Sequence, residues 1–292
     1  MLIYERIERT HFPHSEQLII DYILQEQLNI EHKSTSQIAQ ETFSSKSTLV
    51  KVAKRLNFDG WTAFKHAYLT ELRYLSNQIV TVDSNYPFQA NDHYLSIAHK
   101  IATLEKEAIE DTCHLLDYPT LQRAVELLKQ STCIHVFALS NNLLISQEFR
   151  YNMERIKKRV IVHSIQGEAM YAATLAEQNE CALIISYSGE TTSLLQVVKL
   201  LKQRNIPILL ITSMGENSMT PLANCCLRIS TREKLYSKIA TYANDASITY
   251  LLDVLYSCLF QQNYDRNVAL RKDSSKIFEK GRSSSLSLLK EQ

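Results

Sequence analysis

Glycine is scarce in this sequence, with five residues in 292, and so is proline, also five. That is few glycines for a chain that alternates strands and helices, and it leaves little material for phosphate-cradling turns. No GxxxxGK[ST] occurs, so a nucleotide P-loop is excluded. The six cysteines contain no CxxC, and two are adjacent at Cys225-Cys226. They do not form a disulfide framework and read as reduced, mostly buried thiols of a cytoplasmic protein. The nine histidines show neither HxxxH nor HxH, so no metal site and no cofactor is expected. No apolar run reaches the length needed to cross a bilayer. The opening Met1-Leu2-Ile3-Tyr4-Glu5-Arg6 lacks the apolar core of a signal peptide. Charge of one sign is also missing. A net charge of +1 excludes a globally basic nucleic-acid binder, and 45% hydrophobic with 22% charged residues fits a soluble globular chain.

What is present is a polar loop between an apolar strand and a helix. Ala182 to Ile185 reads as a buried parallel strand. Ser186, Ser188, Thr191 and Thr192 follow, four hydroxyls within residues 186–192. Gly189 lets the backbone turn and approach a ligand closely. A helix from about Thr192 to Arg204 aims its unpaired N–H groups back at the loop. Hydroxyl donors at a helix N-terminus suit a phosphate or another anion. A serine-rich turn with an ordinary cap is the plain alternative.

Residues 1–76 read as helical. Ser15 is expected to cap a helix reaching about Asn29, with Leu18, Ile19, Tyr22 and Ile23 on its apolar face. Ser34 opens a short helix to Thr42, with Gln37 completing a capping box. Ser45 caps a third, from Lys46 to about Leu56. Two short helices across a tight turn match a helix-turn-helix, with Ile38, Ala39, Leu49 and Val52 as its small core. Gly60 precedes a fourth helix, Trp61 to Ser76. Residues 1–76 carry nine basic and nine acidic groups. Residues 44–66, by contrast, hold Lys46, Lys51, Lys54, Arg55 and Lys65 against Asp59 alone, a net of +4. Positive charge thus gathers where duplex phosphates would be met. Ser45, Lys46, Ser47 and Thr48 stand at the helix end usually presented to base edges. A helical dimerisation domain with a solvated basic face is the alternative.

The run Ser36-Gln37-Ile38-Ala39, followed by Ser45 through Trp61, resembles the N-terminal domain of RpiR-type transcriptional regulators. Those proteins join a helix-turn-helix domain to a sugar isomerase (SIS) domain. Ser186-Tyr187-Ser188-Gly189-Glu190-Thr191 is similar to the SIS phosphosugar signature. This chain departs from the family at Phe43 and Asn57, where glycine is common, and at Lys51, where arginine is common. The resemblance implies a double-stranded DNA operator, a phosphorylated sugar effector and a homodimer or homotetramer.

The expected organisation is an all-α head at 1–76, a linker at 77–91 and an α/β domain at 92–292. In the last, helices at 92–116 and 119–130 lead into strands at 134–139, 159–163, 182–187, 208–212 and 226–229. The helices between them run over 143–157, 168–176 and 192–204, with a short one near 221–224. Such alternation predicts a five-stranded parallel sheet covered by helices. Ligands of such sheets sit at the carboxyl ends of the strands. Ser140-Asn141-Asn142 and Thr212-Ser213 end two more strands. The family usually has glycines in the first of these loops, and Asn142 falls where its ligand-binding serine would be. The expected effector set is therefore Ser140, Asn142, Ser186, Ser188, Gly189 and Thr191. The expected DNA set is Ser45, Lys46, Ser47, Thr48, Lys51, Lys54 and Arg55. A long apolar helix is expected from Ser237 to Gln262, then a fraying, serine-rich tail. Glu233 and Lys238 read as surface charges, while the resemblance to SIS proteins implies that acidic and basic groups here can approach the sugar or the partner subunit. An aldose–ketose isomerase is the second functional reading, with Glu190, Glu233 and His163 as the only bases in view and no catalytic residue assigned.

Overall fold

A computed structural model describes residues 1–77, 81–165 and 167–281. The serine-rich tail at 283–285 lies outside them. Five helices make the head: α1 (Ile3–Arg9), α2 (His14–Glu26), α3 (Thr35–Glu41), α4 (Lys46–Arg55) and α5 (Trp61–Asn77). The Ser34 box forms as expected. The Ser34 hydroxyl accepts the Gln37 N–H at 3.2 Å, and the Gln37 side chain accepts the Ser34 N–H at 2.7 Å. Ser45 likewise caps α4 through the Thr48 N–H. Ile38, Ala39, Leu49 and Val52 are buried together, joined by Ile19, Ile20, Ile23, Phe64 and Tyr68.

One expectation in the head needs correction, and one helix was not expected. Helix α1 carried no cap signal and forms because Ile3 and Ile7 reach the head core. The carboxylate of Glu71 on α5 accepts the N–H groups of Ile3 and Tyr4 at 2.7 and 2.9 Å, satisfying its first turn. Helix α2 starts after Pro13 rather than from Ser15, and the Pro13 carbonyl receives the Glu16 and Gln17 N–H groups. It stops at Glu26, where Gln27 turns to φ +48° and a 3-10 segment to His32 buries Ile30.

Scarce glycine is met by other residues. Phe43 (φ +49°) makes the α3–α4 turn, and Asn57 (φ +62°) ends α4. Both occupy the left-handed region that glycine enters most easily. The Phe43 ring is 97% exposed.

The second part is built on five parallel strands: β1 (Cys133–Phe137), β2 (Arg159–Val162), β3 (Cys181–Ile185), β4 (Ile208–Ser213) and β5 (Cys225–Ile229). Their order in the sheet is β2-β1-β3-β4-β5. Successive side chains of a strand face opposite layers. Leu183 and Ile185 therefore pack with one core, against α7 (Tyr118–Gln130), α8 (Asn141–Glu154) and α11 (Tyr242–Gln261). Ala182 and Ile184 pack with the other, against α9 (Glu168–Leu175) and α10 (Thr192–Gln203). Both strand faces are covered, which explains the unbroken apolar runs. Helix α6 (Tyr94–His114) lies along α11, and α12 (Tyr264–Phe278) follows it. No helix among the described residues is long and apolar enough to cross a membrane.

Of the expected linker, residues 78–80 lie outside the described residues. From Thr81 onward the chain is irregular but laced to the stretch that precedes α11. Asn85 accepts the Lys234 N–H at 2.7 Å through its side chain and the Ile239 N–H at 3.1 Å through its carbonyl. Tyr86 bonds Ser237 at 2.9 Å. These bonds hold 231–241 out of helix, so α11 begins at Tyr242 and not at Ser237. Ile239, expected on its apolar face, is half exposed.

Candidate functional site

The strand order reverses between β1 and β3. From β1 the chain crosses to β2 on one side, and from β3 it crosses to β4 on the other. At such a switch point the loops part and leave a crevice at the carboxyl ends of the strands. Two helix N-termini meet it, those of α8 and α10.

On the β3 side, Ser186 is buried, and its hydroxyl accepts the Gly189 N–H at 3.2 Å. The Ser188 hydroxyl accepts the Glu190 N–H at 3.2 Å, leaving its own proton to donate. Thr191 stands at the N-cap of α10 with no side-chain capping bond. Gly189 adopts φ +65°, and a Cβ there would overlap the Asn217 side chain. Asn217 is fixed in turn. It donates to the Thr212 hydroxyl at 3.0 Å, and its carbonyl accepts the Met219 and Thr220 N–H groups at 3.1 Å. The Glu190 carboxylate accepts the Ser218 hydroxyl at 2.6 Å and the Ser218 N–H at 2.8 Å. Those bonds hold its carboxyl below the usual range.

On the β1 side, Asn141 and Asn142 are not loop residues but the first turn of α8. Ser140 is the N-cap, at φ +52° and ψ −129°, without a side-chain capping bond. Ser140 thus takes a positive φ that glycine enters most easily, and strain of this kind clusters at ligand sites. Asn141 donates to Asp245 at 2.5 Å, and burial raises the Asp245 carboxyl above its ordinary range.

The segment before α11 closes the crevice. Glu233 and Lys238, expected as surface charges, form a buried ion pair at 2.8 Å with side chains 1% and 12% exposed. Glu233 also accepts the Asn244 N–H at 3.1 Å. Tyr187 donates to the Glu233 carbonyl at 2.7 Å, and burial pushes its phenol far up. The Lys238 ammonium lies 5.5 Å from the Tyr187 ring centre. Sequence spacing carried no signal for this knot, because its members are joined only by the fold.

His163 follows β2 beside the end of β1. Its ring stacks on His135 and Phe137, and burial lowers it to about 4.

The loop after β4 links the crevice to the head. Ser218 holds Glu190, while Glu216 and Met1 exchange backbone bonds at 2.5 and 3.0 Å. Tyr74 of α5 receives the Thr231 N–H at 2.6 Å. In the head, Ser45, Lys46, Ser47, Lys51 and Lys54 are exposed and Thr48 is half-buried. The hydroxyls of Ser47 and Thr48 both bond Ser45, at 2.7 and 2.9 Å. Arg55 is exposed as well and also grips the buried Glu16 of α2 at 2.6 and 3.2 Å, bracing α4.

Removing the ammonium in Lys238→Met strands a buried carboxylate. The loss is expected to be about 3–5 kcal/mol, read as a lower midpoint in urea denaturation. An unchanged midpoint would show that the pair is not buried in solution.

Comparison with known proteins gives the same two parts. Residues 1–74 match the model of the helix-turn-helix domain of the rpiR family, and residues 127–252 match that of the SIS domain. Among solved structures, the chain is similar to the Vibrio vulnificus NanR protein complexed with ManNAc-6P, at 20% identity and a TM-score of 0.59. That match covers 96% of this chain and 98% of the other. The sugar isomerase domain of an RpiR transcription factor from Sphaerobacter thermophilus matches 61% of this chain over 98% of its own length, at 11% identity and a TM-score of 0.55. A Listeria monocytogenes protein assigned as a sugar-phosphate isomerase matches 65% of this chain over its full length, at 13% identity and a TM-score of 0.54. With an rpiR-family helix-turn-helix domain set ahead of a SIS domain in one chain, the protein belongs to the RpiR-type transcriptional regulators.

Proposed function

We propose that the protein is a cytoplasmic, DNA-binding regulator of sugar metabolism whose operator affinity is set by a phosphorylated sugar. The observation that carries this reading is the hydroxyl loop at the switch point, coupled through one short loop to a helix-turn-helix head. The phosphate would sit against Ser188, Thr191 and the N-terminus of α10, where charge-assisted hydrogen bonds and the helix dipole favour a dianion. Ser186 and Gly189 already bond each other and serve by shaping the turn. Ser140 and Asn142, at the start of α8, would line the opposite wall. The NanR likeness supports a sugar phosphate as the class of effector.

In the head, α4 is the recognition helix. Ser45, Ser47 and Thr48 lie at its base-facing end, and Lys46, Lys51 and Lys54 supply the phosphate contacts. Arg55 acts by holding α4 on α2. Two heads of a homodimer, alone or paired as a tetramer, would face the half-sites of a roughly palindromic operator. Effector contact with the 186–191 loop bears on Glu190 and Asn217, hence on the 213–220 loop and on Met1 beyond it. A coupling of about 1–3 kcal/mol would change DNA affinity roughly 5–150-fold.

The three bases named for an isomerase are engaged within the protein: Glu190 bonds Ser218, Glu233 pairs with Lys238, and His163 stacks on His135. A general base has to reach the proton it moves, so these contacts support the regulator over the enzyme.

A thermal-shift screen against phosphorylated sugars is expected to raise the melting point for one sugar class, since a ligand of the native state stabilises it. Ser188→Ala should keep the fold and lose that ligand's effect on operator binding; a full response in the variant removes Ser188 from the site. Lys51→Ala should weaken operator binding and lower the slope of log affinity against log salt by about 1. Titrations at several salt concentrations that match the parent would take Lys51 off the DNA. Incubation with the same sugar phosphates should yield no aldose–ketose interconversion, and sustained turnover would favour the enzyme.

A further inference from the structure

Cys133 and His135 lie two residues apart on one face of β1. Cys133 opens the strand and His135 stands at its middle, whereas the hydroxyl loop follows the carboxyl end of β3. The parallel register pairs Ile134 with Cys181. Glu180, the residue before β3, therefore falls beside Cys133 on the same face. The three side chains converge. A thiol sulfur, an imidazole nitrogen and a carboxylate oxygen lie within 4.8 Å of one another. Cys133 and His135 are 2% and 7% exposed.

The pairwise geometry is that of a donor set. His135 Nε2 stands 3.1 Å from Glu180 Oε2, close to the ligand-to-ligand separation in a tetrahedral shell with bonds of about 2.0 Å. Glu180 Oε2 also accepts the Glu177 N–H at 2.9 Å, which fixes the carboxylate. The other imidazole nitrogen, His135 Nδ1, lies 3.0 Å from His163 Nε2, with the two rings parallel to within 3°. A metal-bound histidine characteristically gives its second ring N–H to an acceptor that sets its tautomer and orientation. His163 stands where that acceptor is needed.

We propose that Cys133, His135 and Glu180 form a binding site for a divalent cation of the borderline, zinc-like class, with His163 as the residue that positions His135. The mixed sulfur, nitrogen and oxygen set selects against Mg2+ and Ca2+, which take oxygen ligands. Three protein ligands leave a fourth position for water or a small exogenous ligand. Of the three, Glu180 alone lines an open pocket of about 450 Å³, together with Gln178, Asn179 and Arg123. The site joins the starts of β1 and β3, the two strands that flank the switch point. Glu180 lies roughly 20 Å from the hydroxyl loop, counting about 3.3 Å per residue along β3. The role of the site is to tie these strands together at the end away from the sugar phosphate.

The test uses the full chain, stripped with chelator under reducing conditions and titrated with Co2+ and then Zn2+. One equivalent of Co2+ is expected to bind with a thiolate-to-cobalt charge-transfer absorption that Zn2+ abolishes by displacement. Cys133→Ser should remove that absorption, and Cys113→Ser, at an exposed cysteine on α6, should keep it. His163→Phe should retain the stoichiometry and weaken affinity about 10–100-fold. Circular dichroism melting checks that each variant is folded. If Cys133→Ser does not fold, Glu180→Gln takes its place and should weaken Co2+ binding at least tenfold. A folded protein that takes up no Co2+, or an absorption unchanged in both the Cys133 and Glu180 variants, overturns the site and leaves a hydrogen-bonded His–Glu pair.

Discussion

The reversal of strand order between β1 and β3 is the constraint on which the rest of the structure depends. Parallel strands force every return connection across a face of the sheet, and the chain turns outward in opposite directions from the two central strands. Their carboxyl ends are left uncovered, and the helices that follow present unpaired N–H groups there. Polar residues are tolerated at that edge because their hydrogen bonds can be met there by loop backbone and neighbouring side chains. The hydroxyls of 186–191 and the strained Ser140 occupy it from opposite sides. The same reversal brings the starts of β1 and β3 side by side, where Cys133 and Glu180 meet.

Around this edge the structure is held by a few polar bonds rather than by more apolar packing. Glu233 anchors Lys238 and the start of α11, and Tyr187 reaches the Glu233 backbone from the end of β3. Asn217 fills the space that a side chain at 189 would need, so the glycine and the loop after β4 are shaped to each other. That loop also carries Glu216, which pairs with the first residue of the chain. A disturbance at the hydroxyl loop therefore meets groups that are hydrogen-bonded onward to the head. Packed and hydrogen-bonded contacts of this kind hold discrete arrangements rather than deforming continuously, which suits a two-state response.

Much of this was legible in the sequence where the signal is local. The Ser34 and Ser45 caps, the small core of the helix-turn-helix and the apolar strands each follow from neighbours a few positions apart. The hydroxyl loop was legible for the same reason. What escaped was set by distant partners. Helix α1 forms because Glu71, 68 residues along the chain from Ile3, meets its N-terminus. Helix α11 starts late because Asn85 claims the backbone before it. Glu233 and Lys238 look like any solvated charges until the fold buries them. Arg55, counted with the DNA-facing cations, also bonds Glu16 of α2 while its side chain stays 42% exposed, a pairing that no local spacing signals. The histidine pattern missed the cluster at Cys133 because its spacing is that of a sheet register, not of a motif.

The segment from Thr81 to Asn91 was expected to join two independent parts, yet Asn85 and Tyr86 are bonded to the stretch before α11. Met1 and Tyr74 add two more seams between head and sensor. Such stitching restricts evolutionary exchange. A foreign reading head grafted onto this sensor would need complements for Glu216 and Thr231, and a connecting strap able to reproduce the bonds of Asn85. Gene shuffling that respects only the order of the two parts would yield proteins that grip their operators and ignore the metabolite.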